Sequence, residues 1–239
     1  MKKIVAVTVL FLLLGASGMN PLMAQEGSKI GFRASPLVSW GNITDRVTKA
    51  KPAGLETKAA IGFNFDFVYT YGFSENVGIK TGITLSTRGI KSSVALPNTI
   101  EGASSLDSKL GITAVIVPVG FKFRSPEIGD GMFIYGVFGV DAELNVQNRI
   151  VGDYILLDTI NSLPSLSIVS RETRDNEGIS IFTTSFAPGA GLDWQFDWGM
   201  LEFGLTYNWG LMSYTTKKFI DQDQVTKMNS IGLNLGYFF

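Results

Sequence analysis

Ile231-Gly-Leu-Asn-Leu-Gly-Tyr-Phe-Phe239 closes the chain and decides how the rest of it is read. Ile231, Leu233, Leu235, Tyr237 and Phe239 fall on one face of an extended strand, and Gly232, Asn234, Gly236 and Phe238 fall on the other. A soluble domain rarely ends on a bare apolar strand with a terminal aromatic. The last strand of an outer-membrane barrel does so as a rule: it closes the barrel and displays Leu233, Leu235, Tyr237 and Phe239 as the signal for the barrel-insertion machinery. The ending therefore predicts a Gram-negative outer-membrane location, while saying little about activity.

The opposite end predicts export. Lys2 and Lys3 form a short positive region, residues 4–14 an apolar run, and residues 15–24 a small and polar stretch with Leu22-Met-Ala24 as a cleavage site before Gln25. Residues 1–24 are expected to be a signal peptide. The run falls short of the ~20 apolar residues of a transmembrane helix, which leaves an N-terminal anchor as the alternative. No cysteine lies near Ala24, so a lipoprotein is excluded. No other stretch approaches helical spanning length. Residues 25–239 can therefore cross a membrane only as a closed β-barrel.

Composition agrees. The whole chain has 27 glycines and 17 phenylalanines beside only 17% charged residues. Removing Lys2 and Lys3 takes the formal charge from −1 to about −3. That balance, with no basic patch interleaved with aromatics, argues against a nucleic-acid partner. Cysteine is absent, so no disulfide framework exists, and histidine is absent too.

Period-2 alternation marks eight strands. They cover residues 30–40, 59–72, 76–89, 110–124, about 132–146, 181–196, 200–211 and the C-terminal stretch. The second is the clearest, with Ile61, Phe63, Phe65, Phe67, Tyr69 and Tyr71 against Gly62, Asn64, Asp66, Val68 and Thr70. The fifth begins with Phe133, Tyr135 and Val137. Most strands reach the ~9–11 residues that a tilted spanning strand needs. Residues 71–76, 124–131 and 196–200 are short connections; 41–58, 90–109, 147–179 and 212–228 are long. Four long and three short connections fit an all-β, eight-stranded antiparallel up-and-down barrel, with short periplasmic turns and long extracellular loops. A soluble β-sandwich is the alternative, but it would not normally expose aromatic faces on strand after strand.

Aromatic residues are expected at two levels. Tyr69, Tyr71, Phe73, Trp194, Phe196, Trp198, Tyr237 and Phe239 map to a periplasmic girdle, and Trp40, Trp209 and Tyr214 to the outer rim. The inward face carries Arg33, Asp66, Lys80, Lys122, Asp193 and Glu202. Eight strands enclose an interior just wide enough for side chains to fill. These charges are expected to pair in a closed polar core, because an unpaired buried charge is costly. An ion path through the lumen is the alternative. Pro36, Pro118 and Pro188 fall inside strands and each removes a ladder donor, so bulges or irregular ladders are expected there.

Several runs carry a family resemblance. They are Leu85-Ser-Thr-Arg-Gly-Ile-Lys91, Val115-Ile-Val-Pro-Val-Gly-Phe-Lys-Phe123, Phe133-Ile-Tyr-Gly-Val-Phe-Gly139, and Gly189-Ala-Gly-Leu-Asp-Trp194 followed by Leu201-Glu-Phe-Gly-Leu-Thr-Tyr207. In this order they resemble the PorT-like outer-membrane β-barrel proteins over nearly the whole mature chain. The resemblance implies a small barrel, and its named member serves protein secretion, a role that barrel motifs do not transfer. That family often has Arg before the strand-seven Tyr. Here the position is Thr206, which leaves one fewer cation to answer Glu202 and Asp193.

Nothing in the sequence points to catalysis. Small membrane-barrel hydrolases generally use a His base, and this chain has none. Ser104, Ser105 and Ser213 lie in Ser-rich loops near Lys or Asp. No P-loop, dinucleotide fingerprint, zinc spacing or EF-hand loop occurs. The loop acids Asp221 and Asp223, or Asp175 and Glu177, fall short of the six or more oxygens calcium takes. No cofactor is expected. Function is then expected in the long loops. Residues 147–179 read as a hairpin turning at Asn161-Ser-Leu-Pro164 above the membrane, or as two further spanning strands. Three functions stay open. The first is a structural or interaction barrel set in lipid and lipopolysaccharide, whose outer loops meet a protein or glycan. The second is an accessory of secretion or envelope assembly, and the third a small-solute pore or ligand-binding barrel.

Overall fold

The computed structural model describes residues 27–45, 55–95, 105–160, 163–173, 179–215 and 224–239. The expected signal peptide with its Ala24–Gln25 cleavage point lies outside the described residues, as do Ser104, Asp175, Glu177, Asp221 and Asp223. The strands are β1 (Ser28–Asp45), β2 (Leu55–Lys58), β3 (Ala60–Gly72), β4 (Val77–Ala95), β5 (Ser105–Arg124), β6 (Met132–Ile160), β7 (Leu163–Thr173), β8 (Phe182–Phe186), β9 (Gly189–Phe196), β10 (Gly199–Gly210) and β11 (Gln224–Phe238). All pair antiparallel. The ring runs β1-β3-β4-β5-β6-(β8, β9)-β10-β11 and closes where β11 meets β1. Eight walls form the barrel, as the alternation predicts.

Each wall turns its aromatic and branched residues outward and its small and polar residues inward. Phe65, Leu85, Val119, Phe121, Phe138, Leu205 and Leu233 stand exposed on the outer surface, while Ser35, Asp66, Ser86, Thr183 and Asn234 are buried inside. A backbone that hydrogen-bonds around a closed ring leaves no edge, which is what lets strands lie in hydrocarbon. Turns are short at one end. At the β5–β6 turn, Asp130 and Gly131 take φ of 33° and 76°, a left-handed pair that suits glycine. The Gly131 amide donates to Glu127 at 2.6 Å.

Four expectations are corrected. Strands run further outward than alternation indicates. β4 and β5 pair as far as Ala95↔Ser105, so part of the expected 90–109 loop is sheet, while β6 continues to Ile160 and pairs with β7 as the hairpin expected over residues 147–179. Pairing of β7 with β6 alone also excludes two further spanning strands over residues 147–179.

Pro36 and Pro118 interrupt their ladders as expected, without a bulge. The β1–β11 ladder skips Ser35 and Pro36 and resumes in the same register, and β4–β5 does the same across Val117 and Pro118. A strand residue sends its N–H to one neighbour only, so each proline costs one ladder and the other stays regular: Pro36↔Phe63 and Pro118↔Asp141. Pro188 does break its wall, dividing the expected sixth strand into β8 and β9. The true bulge on β6 lies at Val146, between the pairs Ala114↔Asn145 and Thr113↔Gln147.

Faces supply the last two corrections. Tyr135 belongs to the lumen, not the lipid face, and is 3% exposed. Tyr214 is not a rim aromatic: it is fully buried, inserted into the lumen from above. The periplasmic aromatics do meet in a chain across the closing seam. Trp194–Phe196, Phe196–Trp198, Trp198–Tyr237, Tyr237–Phe239 and Phe239–Phe32 have ring centroids 4.7, 5.0, 5.7, 5.4 and 6.1 Å apart.

Candidate functional site: the filled lumen and the outer sheet

The six charges picked out by alternation converge inside the barrel. Arg33 and Asp66 are directly opposed on β1 and β3, and the Arg33 Nε donates to Asp66 Oδ2 at 2.7 Å. Lys80 on β4 donates to both Glu202 oxygens at 2.7 and 3.0 Å. β4 and β10 stand half a ring apart, so this pair crosses the full diameter. Lys122 on β5 donates to Glu202 Oε2 at 2.9 Å and lies 2.8 Å from Asp193 Oδ2. Arg33 adds a longer contact to Glu202 at 3.6 Å. Asp66, Lys80, Lys122, Asp193 and Glu202 are all buried. Thr206 brings no charge, and its hydroxyl accepts from Asn234 at 2.6 Å. The cations answering Glu202 and Asp193 come from other walls.

Sequence reasoning passed over further members. Arg124 reaches Asp193 at 3.0 Å, Lys122 sits 4.3 Å from the centre of the Tyr135 ring, and Phe238 is buried with Val68 and Met200 at the periplasmic end. A second cluster lies towards the outside. Glu143 accepts from Arg88 at 2.5 Å, from Ser185 at 2.7 Å, from Thr183 at 2.9 Å and from the Tyr214 hydroxyl. Asp141 accepts from Asn208 at 2.6 Å. Alternation could have found these groups. Arg88 follows Lys80, Thr84 and Ser86 on one face, and Asp141 and Glu143 follow Tyr135 on theirs. Three apolar-looking residues at the start of β6 hid the second series.

Above this cluster Ile90, Ile112, Ala114, Ile116, Tyr214 and Met228 form an apolar layer. Residues 213–215 fold back over it: the Tyr214 amide donates to the Thr226 carbonyl and the Ser180 amide to the Tyr214 carbonyl, both at 2.8 Å. Between the two charged clusters lies a cavity of about 60 Å³ bounded by Asn64, Lys80, Tyr135, Asp141 and Asn208, room for a handful of waters. Lumen charges are thus neutralised across the barrel, and an apolar layer covers them at the outer end, while at the other end Val68, Met200 and Phe238 pack beside a pocket of about 50 Å³ lined by Lys29, Lys122, Arg124 and Asp193. Among the described residues no group of three or more His, Cys, Asp or Glu is placed to hold a metal.

Outside the lumen, β2, β4, β5, β6 and β7 continue beyond the ring as one sheet. β7 pairs with β6 alone and leaves its other edge without a strand partner among the described residues.

No curated protein matches the chain. Among solved structures it is similar to Ail, the attachment invasion locus protein of Yersinia pestis, at 18% identity over 90% of this chain and 99% of that one, TM-score 0.35. It is similar to OprG of Pseudomonas aeruginosa at 13% identity over 90% and 97%, TM-score 0.46. Neisserial surface protein A aligns at 13% identity over 87% and 95%, TM-score 0.40. Residues 9–239 match the family model of the outer membrane protein beta-barrel domain, and the chain belongs to that family.

Proposed function

We propose that this chain is a non-enzymatic outer-membrane barrel with a plugged lumen, acting through the sheet that β4 to β7 raise above the membrane. The observation that carries this is the ion pairing across the diameter, Lys80 to Glu202 and Lys122 to Asp193, beneath the apolar layer sealed by Tyr214. Moving an ion through would require separating buried ion pairs, at several kcal/mol each. The β7 edge that has no strand partner among the described residues is a surface to which an extended segment of a protein partner can add as a strand. A glycan bound by the outer loops is the other outcome to test. The resemblance to PorT-like barrels raises an accessory role in secretion or envelope assembly as the alternative, but barrel motifs do not transfer that role to this chain. Its periplasmic turns are short, which favours the outer sheet as the working surface.

Single-channel recording of the refolded protein in planar bilayers tests the plug, with the heat-modifiable gel shift reporting a folded barrel. A folded barrel without steady conductance is expected. A reproducible open channel would overturn the plugged lumen and make Arg33, Lys80, Lys122 and Glu202 the lining of a solute path.

A further inference from the structure

We infer that the outer face of β2, β4 and β5 carries a binding site for the phosphorylated headgroup of the outer-leaflet glycolipid, lipopolysaccharide. Lys58, Lys91 and Lys109 are directly opposed on these three adjacent strands. All three are exposed, and none makes an ion pair among the described residues. Like charges directly opposite across strands destabilise a sheet, so a row of three calls for an anion.

Both neighbouring strands approach this row through the same outward sequence. β4 goes from Leu85 through Thr87 and Gly89 to Lys91, and β5 from Val115 through Thr113 and Gly111 to Lys109. Each outward position climbs about 5 Å on a tilted strand, so the glycines and lysines lie about 10 and 15 Å above the last apolar pair. That is the headgroup zone, from which lysines can reach down to phosphate. Gly89 and Gly111 contribute no side chains and leave a groove of about 230 Å³, flanked by Lys109, Arg149 and Ile61. The groove is wide enough for a sugar ring beside its phosphate. Glu56 and Asp107 stand one row further out, opposite Ser93, and do not pair with the lysines.

Two register shifts aim cations at this face. The break at Ala59 moves the β2 pairing with β4 by one residue, from the Phe63↔Thr87 register to Lys58↔Lys91. Without it Lys58 would share the lumen face of Gly62. The bulge at Val146 likewise turns Arg149 away from the lumen face of Glu143 and Asn145 and sets it opposite Gly111. Re-aiming a side chain is what bulges do, and here two of them, on different walls, turn cations to one outer face. The assignment rests on the barrel's orientation, not on the closed lumen.

The test uses the refolded full mature chain in detergent, titrated with diphosphoryl lipid A, fully dephosphorylated lipid A and phosphatidylglycerol. Diphosphoryl lipid A should bind at least about tenfold more tightly than the other two. Lys91→Gln/Lys109→Gln should weaken it by about thirtyfold, from two lysine–phosphate attractions lost at a membrane surface, with the gel shift retained. Equal binding of phosphatidylglycerol or of the dephosphorylated lipid would overturn the site, as would an unaltered double variant. If the double variant does not fold, Gly111→Val decides. It keeps the three lysines, and a Cβ there makes only ordinary contacts with Arg149, to its carbonyl at 3.6 Å and its Cβ at 4.0 Å. Filling the groove should cost at least about fivefold in lipid A affinity, and wild-type binding would sink the proposal. Conductance recorded on the same preparation reads the plugged lumen separately.

Discussion

Glu202 holds three cations from three other walls, which makes it the most consequential single residue in the lumen. Lys80 and Lys122 donate to it directly and Arg33 lies within 3.6 Å. Truncating it leaves Lys80 buried without its carboxylate and takes one of two from Lys122 and from Arg33, so Glu202→Ala should lower stability by about 3–5 kcal/mol. Urea unfolding in lipid vesicles would measure the loss. Asp107→Asn, on the exposed outer face, should leave the midpoint unchanged. Small residues matter through what lies against them. A Cβ on Gly204 would stand 2.2 Å from the Tyr135 hydroxyl and 2.8 Å from the Ala190 carbonyl. Gly204→Ala should therefore cost about 1–3 kcal/mol by overpacking. Adding Tyr135→Phe should recover part of that, and a double variant no better than the single one would place the strain on the backbone.

Among the elements, the β6–β7 hairpin is separable from the ring. β7 pairs only with the outer extension of β6, over Ile150↔Thr173 to Ile160↔Leu163, while the ring uses β6 between Met132 and Gly152. Replacing residues 153–170 by a short turn should leave the heat-modifiable shift intact and abolish capture of any protein partner that adds to the β7 edge. Loss of the shift would mean that the hairpin supports the barrel itself. β11 works on both of its faces. Outward, Phe239 and Tyr237 join the aromatic chain across the seam; inward, Phe238 fills the periplasmic end of the lumen. The expected insertion signal and the lower plug are thus alternate residues of one strand.

For the molecule as a whole, an outer-membrane barrel sits in lipid and lipopolysaccharide, and its core is polar while its surface is apolar. Raising salt from about 0.1 to 1 M shortens the screening length from about 10 to 3 Å, which weakens exposed charges and hardly touches buried ones. Stability should therefore change by less than about 1 kcal/mol over that range. A large drop would indicate a hydrated, open lumen. Glycolipid binding at the exposed lysine row should weaken over the same range, so the two responses separate interior from surface electrostatics.

The barrel, its eight walls and the lumen faces of Arg33, Asp66, Lys80, Lys122, Asp193 and Glu202 were legible in the residues, because strand alternation is local and has a strict period of two. Residues that break the period were not. Lys58 and Arg149 lie on the outer face only because of shifts at Ala59 and Val146, and no residue type announces a one-residue slip in pairing. Tyr214 looked like a rim aromatic, since nothing near it in the chain shows that it would turn inward to meet Glu143. Which charges meet was likewise a property of the closed ring. Lys80 and Glu202 are 122 residues apart in sequence and become partners only when β11 joins β1 and sets their walls across one diameter. Local periodicity determined which way side chains point, and closure with its bulges decided what they find there.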